Sequence, residues 1–187
     1  MNRAYKAAID IGSNSILLLI VDGEKNEVKF ESRITSLGKN LDKTKKFEEI
    51  NVVDLEKTFR TNLFAPFRLI QELLPFLKKA QSPHVVNIGS VGGVQGSLKF
   101  TGLSSYSASK ASLAILTECL AEEYKDSHIK FNCLSLGAVQ TEMLKKAFPD
   151  YKAPITPIKM AEFISSFSLE SHEYLNGKVI SISQSNP

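Results

Sequence analysis

"HVVNIGS", residues 84–90, is the stretch on which the fold of this 187-residue chain turns. A short β-branched apolar run of this kind reads as a buried strand. It leaves Ser90 at the carboxyl end, where parallel sheets carry their functional groups. On its amino side Asp54 can cap a long helix whose apolar residues Leu55, Phe59, Leu63, Phe67, Ile70, Leu73 and Leu74 recur at helical spacing. On its carboxyl side a second helix starts near Tyr106 and carries Ala111, Leu113, Leu116, Leu120 and Tyr124. "IKFNCLSLG" (129–137) and "GKVISIS" (177–183) supply two more strands. Strands alternating with helices predict an α/β fold, a parallel sheet with helices on its faces.

The first 46 residues have a different character. "AAIDI" (7–11), "ILLLIVD" (16–22) and "EVKFES" (27–32) are β-type runs, the first two separated by "GSNS" and the last two by a Gly23–Asn26 turn suited to a hairpin. "LGKNLDKTKK" (37–46) then loses all periodicity and reads as a boundary between residues 1–46 and 47–187. Its Lys43, Lys45 and Lys46 fit a solvated linker better than a nucleic-acid face, which needs interleaved aromatics.

Composition narrows the classes. With 43% hydrophobic residues and a net charge of +3, the chain reads as a globular, cytoplasmic protein that does not bind nucleic acid. Its longest aliphatic run, Ile16 to Val21, is far shorter than the roughly 20 residues of a membrane span. Cys119 and Cys133 are expected as buried reduced thiols. His84, His128 and His172 stand apart from other ligand-type residues, so they read as surface or loop histidines and no metal site is expected.

"YSASK" (106–110) places Tyr106 one helical turn before Lys110. A neighbouring ammonium favours the ionised phenol, and such a tyrosine can exchange a proton with a substrate oxygen. The spacing also occurs by chance in many helices. Ser90 can hold the substrate oxygen beside the tyrosine, and Asn62, a poor helix former inside the long helix, suggests a polar or water-mediated task.

"RTNLFAPFRLIQELLPFL" (60–77), "VVNIGS", "YSASK" and "LSLGAVQTEM" (134–143) stand in the order and spacing of the short-chain dehydrogenase/reductase family, which the chain resembles from about Phe47 onward. The resemblance implies a three-layer, Rossmann-like parallel sheet, here truncated, with NAD(P) as cofactor and a small-molecule carbonyl or alcohol as substrate. It implies Tyr106 as acid/base, Lys110 as tyrosine activator and ribose ligand, Ser90 as orienting hydroxyl and Asn62 as part of a water relay. It also implies Gly137, Val139 and Thr141 as the segment holding the nicotinamide, although Leu136 stands where the family usually has proline. The family's opening strand, glycine-rich turn and helix have no counterpart in the motifs of this chain, so turnover by the chain is expected to be impaired.

Residues 4–46 resemble instead the N-terminus of the exopolyphosphatase and guanosine pentaphosphate phosphohydrolase family, of actin-like ATPase fold. That resemblance implies a β-hairpin segment with a phosphate-binding turn of Asp10, Gly12, Ser13, Asn14 and Ser15. Three functional readings follow: a short-chain oxidoreductase, a non-catalytic fusion of two fragments, and a remnant phosphate-binding protein. A strand from residues 5–22 is expected to pair with 84–89, covering an edge that would otherwise be bare; the alternative is a separate hairpin, with a second copy of the chain covering that edge.

Overall fold

The computed structural model describes residues 6–11, 15–21, 27–34 and 45–185. Strands β1 (Lys6–Ile11), β2 (Ser15–Val21) and β3 (Glu27–Ile34) form an antiparallel three-stranded sheet in the order β1-β2-β3. Strands β4 (His84–Ser90), β5 (Lys130–Leu136) and β6 (Lys178–Ile182) form a second sheet, parallel throughout, in the order β4-β5-β6. The parallel arrangement expected of these three strands is therefore present.

The proposed pairing of residues 5–22 with β4 is not. Among the described residues β4 pairs with β5 alone, and β1 to β3 pair with one another. Strands adjacent in sequence close short loops to meet, whereas reaching β4 requires a long crossover, so local pairing has the smaller entropic cost.

The long helix is three pieces: α1 (Val52–Phe59), a π-helical turn (Arg60–Phe64) and α2 (Ala65–Leu77). Its N-cap is Asn51, whose side chain accepts from the Asp54 amide, so Asp54 lies in the first turn instead of capping it. α3 (Ser104–Glu123) follows β4; α4 (Glu142–Ala147) and α5 (Pro157–Glu170) lie between β5 and β6.

Alternation along the strands sorts the layers. Phe131 and Val85 face the helices of the first half, packing with Ile70, Leu74 and Leu77 of α2 and Leu120 and Ala121 of α3. His84 and Asn132 face the other way, toward α5. Between the layers, the Asn87 amide donates to Thr117 Oγ1 at 2.9 Å, and the Thr117 hydroxyl donates to Leu113 O at 2.9 Å. This buried pair fixes how α3 sits on β4, because each group would cost free energy if left alone.

His84 is not a surface histidine. Its Nδ1–H donates to Ser168 O of α5 (3.0 Å) and its Nε2 accepts from Asn132 Nδ2 (2.9 Å). Asn132 also donates to Leu175 O and accepts from Lys178 N, both at 3.0 Å. The His172 ring lies 5.9 Å from that of His84, and its Nδ1 is buried without a hydrogen-bond partner. Of the cysteines, Cys133 is buried as expected, whereas Cys119 is exposed; both are free thiols.

Phe131 is fully buried where α2 and α3 meet the sheet. Phe131→Ala should lower unfolding free energy by about 3–5 kcal/mol in urea titrations, with no loss of secondary structure below the transition. His84 gives a pH signature. Burial holds its imidazole below the ordinary 6.5; the Ser168 carbonyl opposes this and the nearby His172 reinforces it. A depressed folded value means the unfolded chain binds the proton more readily, so this stabilisation is present above 6.5 and lost as pH falls through the folded value. Urea midpoints should drop as pH falls below about 6.5, and His84→Gln should flatten that drop.

Candidate active site

The carboxyl end of β4 and the first turn of α3 come together beyond the sheet. Val91–Gly93 form a short 3-10 turn after β4, and Ser90 Oγ accepts from Gly92 N at 3.2 Å. A side chain at Gly93 would place its Cβ 2.7 Å from Ala111 N and 2.8 Å from the carbonyl carbon of Lys110, so only glycine lets this loop lie on the helix. That approach brings the Ser90 hydroxyl near enough to Tyr106 to act on its phenol.

Tyr106 is half-buried. Burial raises its phenol above the ordinary 10.0, and the Ser90 hydrogen bond only partly offsets this. The proton therefore stays on Tyr106 at neutral pH. Lys110 Nζ, on the same helix, donates to Ile88 O at 2.8 Å. Its charge also acts on the Cys133 thiol, which burial pushes above 9.0 all the same.

Asn62 lies in the π turn, an irregularity that often marks functional positions. Its Nδ2 donates to Ser109 Oγ at 2.9 Å, and the Ser109 hydroxyl donates to Tyr106 O at 2.7 Å. Asn62 thus reaches the tyrosine through fully buried Ser109, a residue that sequence reasoning passed over as one small residue among several.

Gly137 to Thr141 follow β5. Gly137 N donates to Ile182 O at 2.8 Å, and a Cβ there would meet Ser183 Oγ at 2.3 Å, so a side chain does not fit. Thr141 caps α4, its Oγ1 accepting from Leu144 N at 3.2 Å. An open cavity of about 730 Å³ is lined by Lys46, Phe47, Lys99, Phe100, Leu103 and Ser107.

Of the phosphate-turn residues, Asp10 and Ser15 lie on β1 and β2, whereas Gly12, Ser13 and Asn14 fall outside the described residues. No group of three or more potential metal ligands occurs among the described residues, and no described helix is long and apolar enough to cross a membrane.

Comparison with known proteins places this geometry. The sequence model of short chain dehydrogenase matches residues 32–152. The uncharacterized oxidoreductase YhdF of Bacillus subtilis is 26% identical over 144 residues, 71% of this chain and 48% of its own length. The 3-oxoacyl-[acyl-carrier-protein] reductase FabG of Thermotoga maritima is 28% identical over 141 residues, 69% of this chain and 55% of its own. A short chain dehydrogenase of Escherichia coli CFT073, solved with NADPH, superposes with a TM-score of 0.66 at 26% identity, covering 74% of this chain and 57% of that one. The chain spans about half the length of the curated relatives it matches. With residues 32–152 matched, and with Ser90 at the end of β4 and Tyr106 in the first turn of α3, the chain belongs to the short-chain dehydrogenase family.

Proposed function

We propose that the chain carries the proton-transfer half of an NAD(P)-dependent carbonyl reductase, with Tyr106 as acid, Ser90 as orienting hydroxyl and residues 47–187 as the unit that builds them. The observation that carries this reading is the placement of Ser90, at the end of β4, beside the phenol of Tyr106 in the first turn of α3. A neutral phenol is the donor form, so the site suits reduction of a carbonyl better than oxidation of an alcohol. Ser90 would share the substrate oxygen with Tyr106, and that oxygen would take the phenolic proton as negative charge develops on it. Asn62 and Ser109 hold the tyrosine backbone by a chain of two hydrogen bonds.

A bound nicotinamide would supply the hydride to the carbonyl carbon. The backbone of Gly137 and Val139 and the hydroxyl of Thr141, which keeps a proton to donate, suit the carboxamide end of that cofactor. Lys110, the family's ribose ligand, donates to Ile88 O, and the described residues include no glycine-rich turn opening a helix for the pyrophosphate. The residues therefore fit one end of the cofactor, and turnover by this chain alone is proposed to be impaired. The separate antiparallel sheet of β1 to β3 supports the further reading that residues 1–46 are a fused segment of exopolyphosphatase type. Exposed Phe64, Phe67 and Ile115 on the helices support self-association as a homo-oligomer.

Titration with NADH and NADPH, followed by nucleotide fluorescence, should show binding at about millimolar strength or weaker, since the pyrophosphate contact supplies much of dinucleotide affinity. Reduction of a 3-oxoacyl thioester or a simple ketone should not exceed that of Tyr106→Phe. Tight, saturable NADPH binding with turnover lost in Tyr106→Phe would establish a competent enzyme and remove the proposed impairment. Turnover that survives Tyr106→Phe would remove the tyrosine's role.

A further inference from the structure

At the amino ends of the parallel strands, away from Ser90 and Tyr106, one hydrogen-bond network ties α5 to the sheet, and its protons have a single arrangement. Lys178 N can only donate, so the Asn132 atom facing it at 3.0 Å is the carboxamide oxygen. Leu175 O can only accept, so the atom facing it at 3.0 Å is the carboxamide nitrogen. Two backbone groups thus fix the orientation of Asn132, and the remaining N–H of its amide meets His84 Nε2 at 2.9 Å. Nε2 must therefore be the unprotonated nitrogen, and Nδ1 carries the proton given to Ser168 O at 3.0 Å. The neutral Nδ1–H imidazole is the one form of His84 that satisfies all of these partners.

Protonation removes that fit at one atom. Nε2 becomes a donor facing the donor N–H of Asn132, which cannot turn without abandoning Lys178 N and Leu175 O. The imidazole is rigid, so a rotation that carries Nε2 away from Asn132 also carries Nδ1 off Ser168 O, in the last turn of α5. Carbonyls at that end of a helix depend on groups outside it. The surroundings do not relieve the charge. His172, on the 3-10 turn after α5 (Ser171–Glu173), has its ring 5.9 Å away and its Nδ1 buried without a hydrogen-bond partner. Phe167 of α5 adds an apolar ring at 5.9 Å. Lys130 stands beside His84 in the strand register and Lys178 beside Asn132, both of them cations. The Glu170 carboxylate accepts from Ser166 Oγ, and Glu173 is exposed. Among the charged groups of the described residues, His172 is the one whose charge acts on His84, and it disfavours the imidazolium.

We infer that His84 and Asn132 form an acid-opened latch: neutral His84 holds the end of α5 and the turn after it, residues 163–175, on the sheet, and protonation releases that segment while the opposite face stays packed. The latch is more than a pH-dependent stability, because it assigns the loss to one segment. Phe131 and Val85 pack against α2 and α3 on the other face of the sheet, where no member of the latch lies. The released segment is the connection from α5 into β6. The latch is closed above 6.5 and opens as pH falls through the folded value of His84. It does not draw on the Ser90 and Tyr106 site, which stands at the opposite ends of the strands.

Two measurements on the full chain test it. The first is the tautomer, read by NMR on ¹⁵N-labelled histidine rings, with His128→Gln and His172→Gln to assign His84. Well above 6.5, His84 should show a protonated Nδ1 and a bare Nε2; the Nε2–H tautomer would overturn the inference. The second is amide hydrogen exchange, corrected for the intrinsic dependence of exchange on pH. Below 6.5, opening across residues 163–175 should rise by about tenfold per pH unit until the folded value of His84 is reached, whereas amides of α3 and β5 keep their protection. His84→Gln, which takes up no proton, should abolish the rise. Equal loss of protection in α5 and α3 would mean global destabilisation and would overturn the latch. So would a rise that persists in His84→Gln, or no rise while His84 titrates. If His84→Gln does not fold, the wild-type chain decides: the exchange midpoint must coincide with the NMR titration of His84, and a midpoint that follows His128 or His172 removes the latch.

Discussion

Strand β5 is the member on which the rest depends, because it is paired along both edges and covered on both faces. Phe131, Asn132, Cys133, Leu134 and Ser135 are all buried. A buried polar side chain in that position must have every partner supplied. Asn132 has them: His84 from β4, Leu175 O from the loop before β6, and Lys178 N from β6 itself. One side chain therefore ties the three parallel strands together at their amino ends, while Phe131 gathers α2 and α3 on the opposite face. The carboxyl ends are left to carry the site.

At those carboxyl ends close approach replaces side-chain bulk. Gly89 faces Cys133 Sγ and Ser135 Oγ, where a Cβ would come within 2.8 and 3.0 Å, and Gly93 lies on the backbone of α3. The Asn87 to Thr117 bond adds a polar tie between the same strand and helix. Together these contacts leave little freedom in where Ser90 stands relative to Tyr106. The same tight packing desolvates the phenol, and its protonated state follows from burial more than from any charged neighbour.

The amino-terminal sheet has a separate logic. Its strands are consecutive, antiparallel and locally paired, so they satisfy one another without recourse to the parallel sheet. β4 consequently keeps an edge that no described strand pairs with, and there an outward carbonyl is met by a lysine. An apolar run such as "ILLLIVD" fits the middle of a three-stranded sheet as well as the interior of a parallel one. Apolar content alone does not choose between the two.

What the sequence by itself determined is whatever depends on neighbours within about one helical turn or one strand. The β-branched run at 84–90, the strand segments at 129–137 and 177–183 and the helical spacing around Tyr106 specify three parallel strands, their helices and a serine and tyrosine at the carboxyl end. Tertiary structure decided the partners. The identity of Lys110's acceptor depends on which strand edge lies within its reach, and "YSASK" carries no trace of Ile88. His84 reads as a lone histidine until α5 brings Ser168 O to its ring, and Asn62 reads as a flaw in a helix until the π turn aims it at Ser109. These bonds join residues 22 to 84 positions apart. Such contacts are set by how whole elements pack, and a local pattern of apolar and polar residues records the face an element buries but not the groups it will meet there.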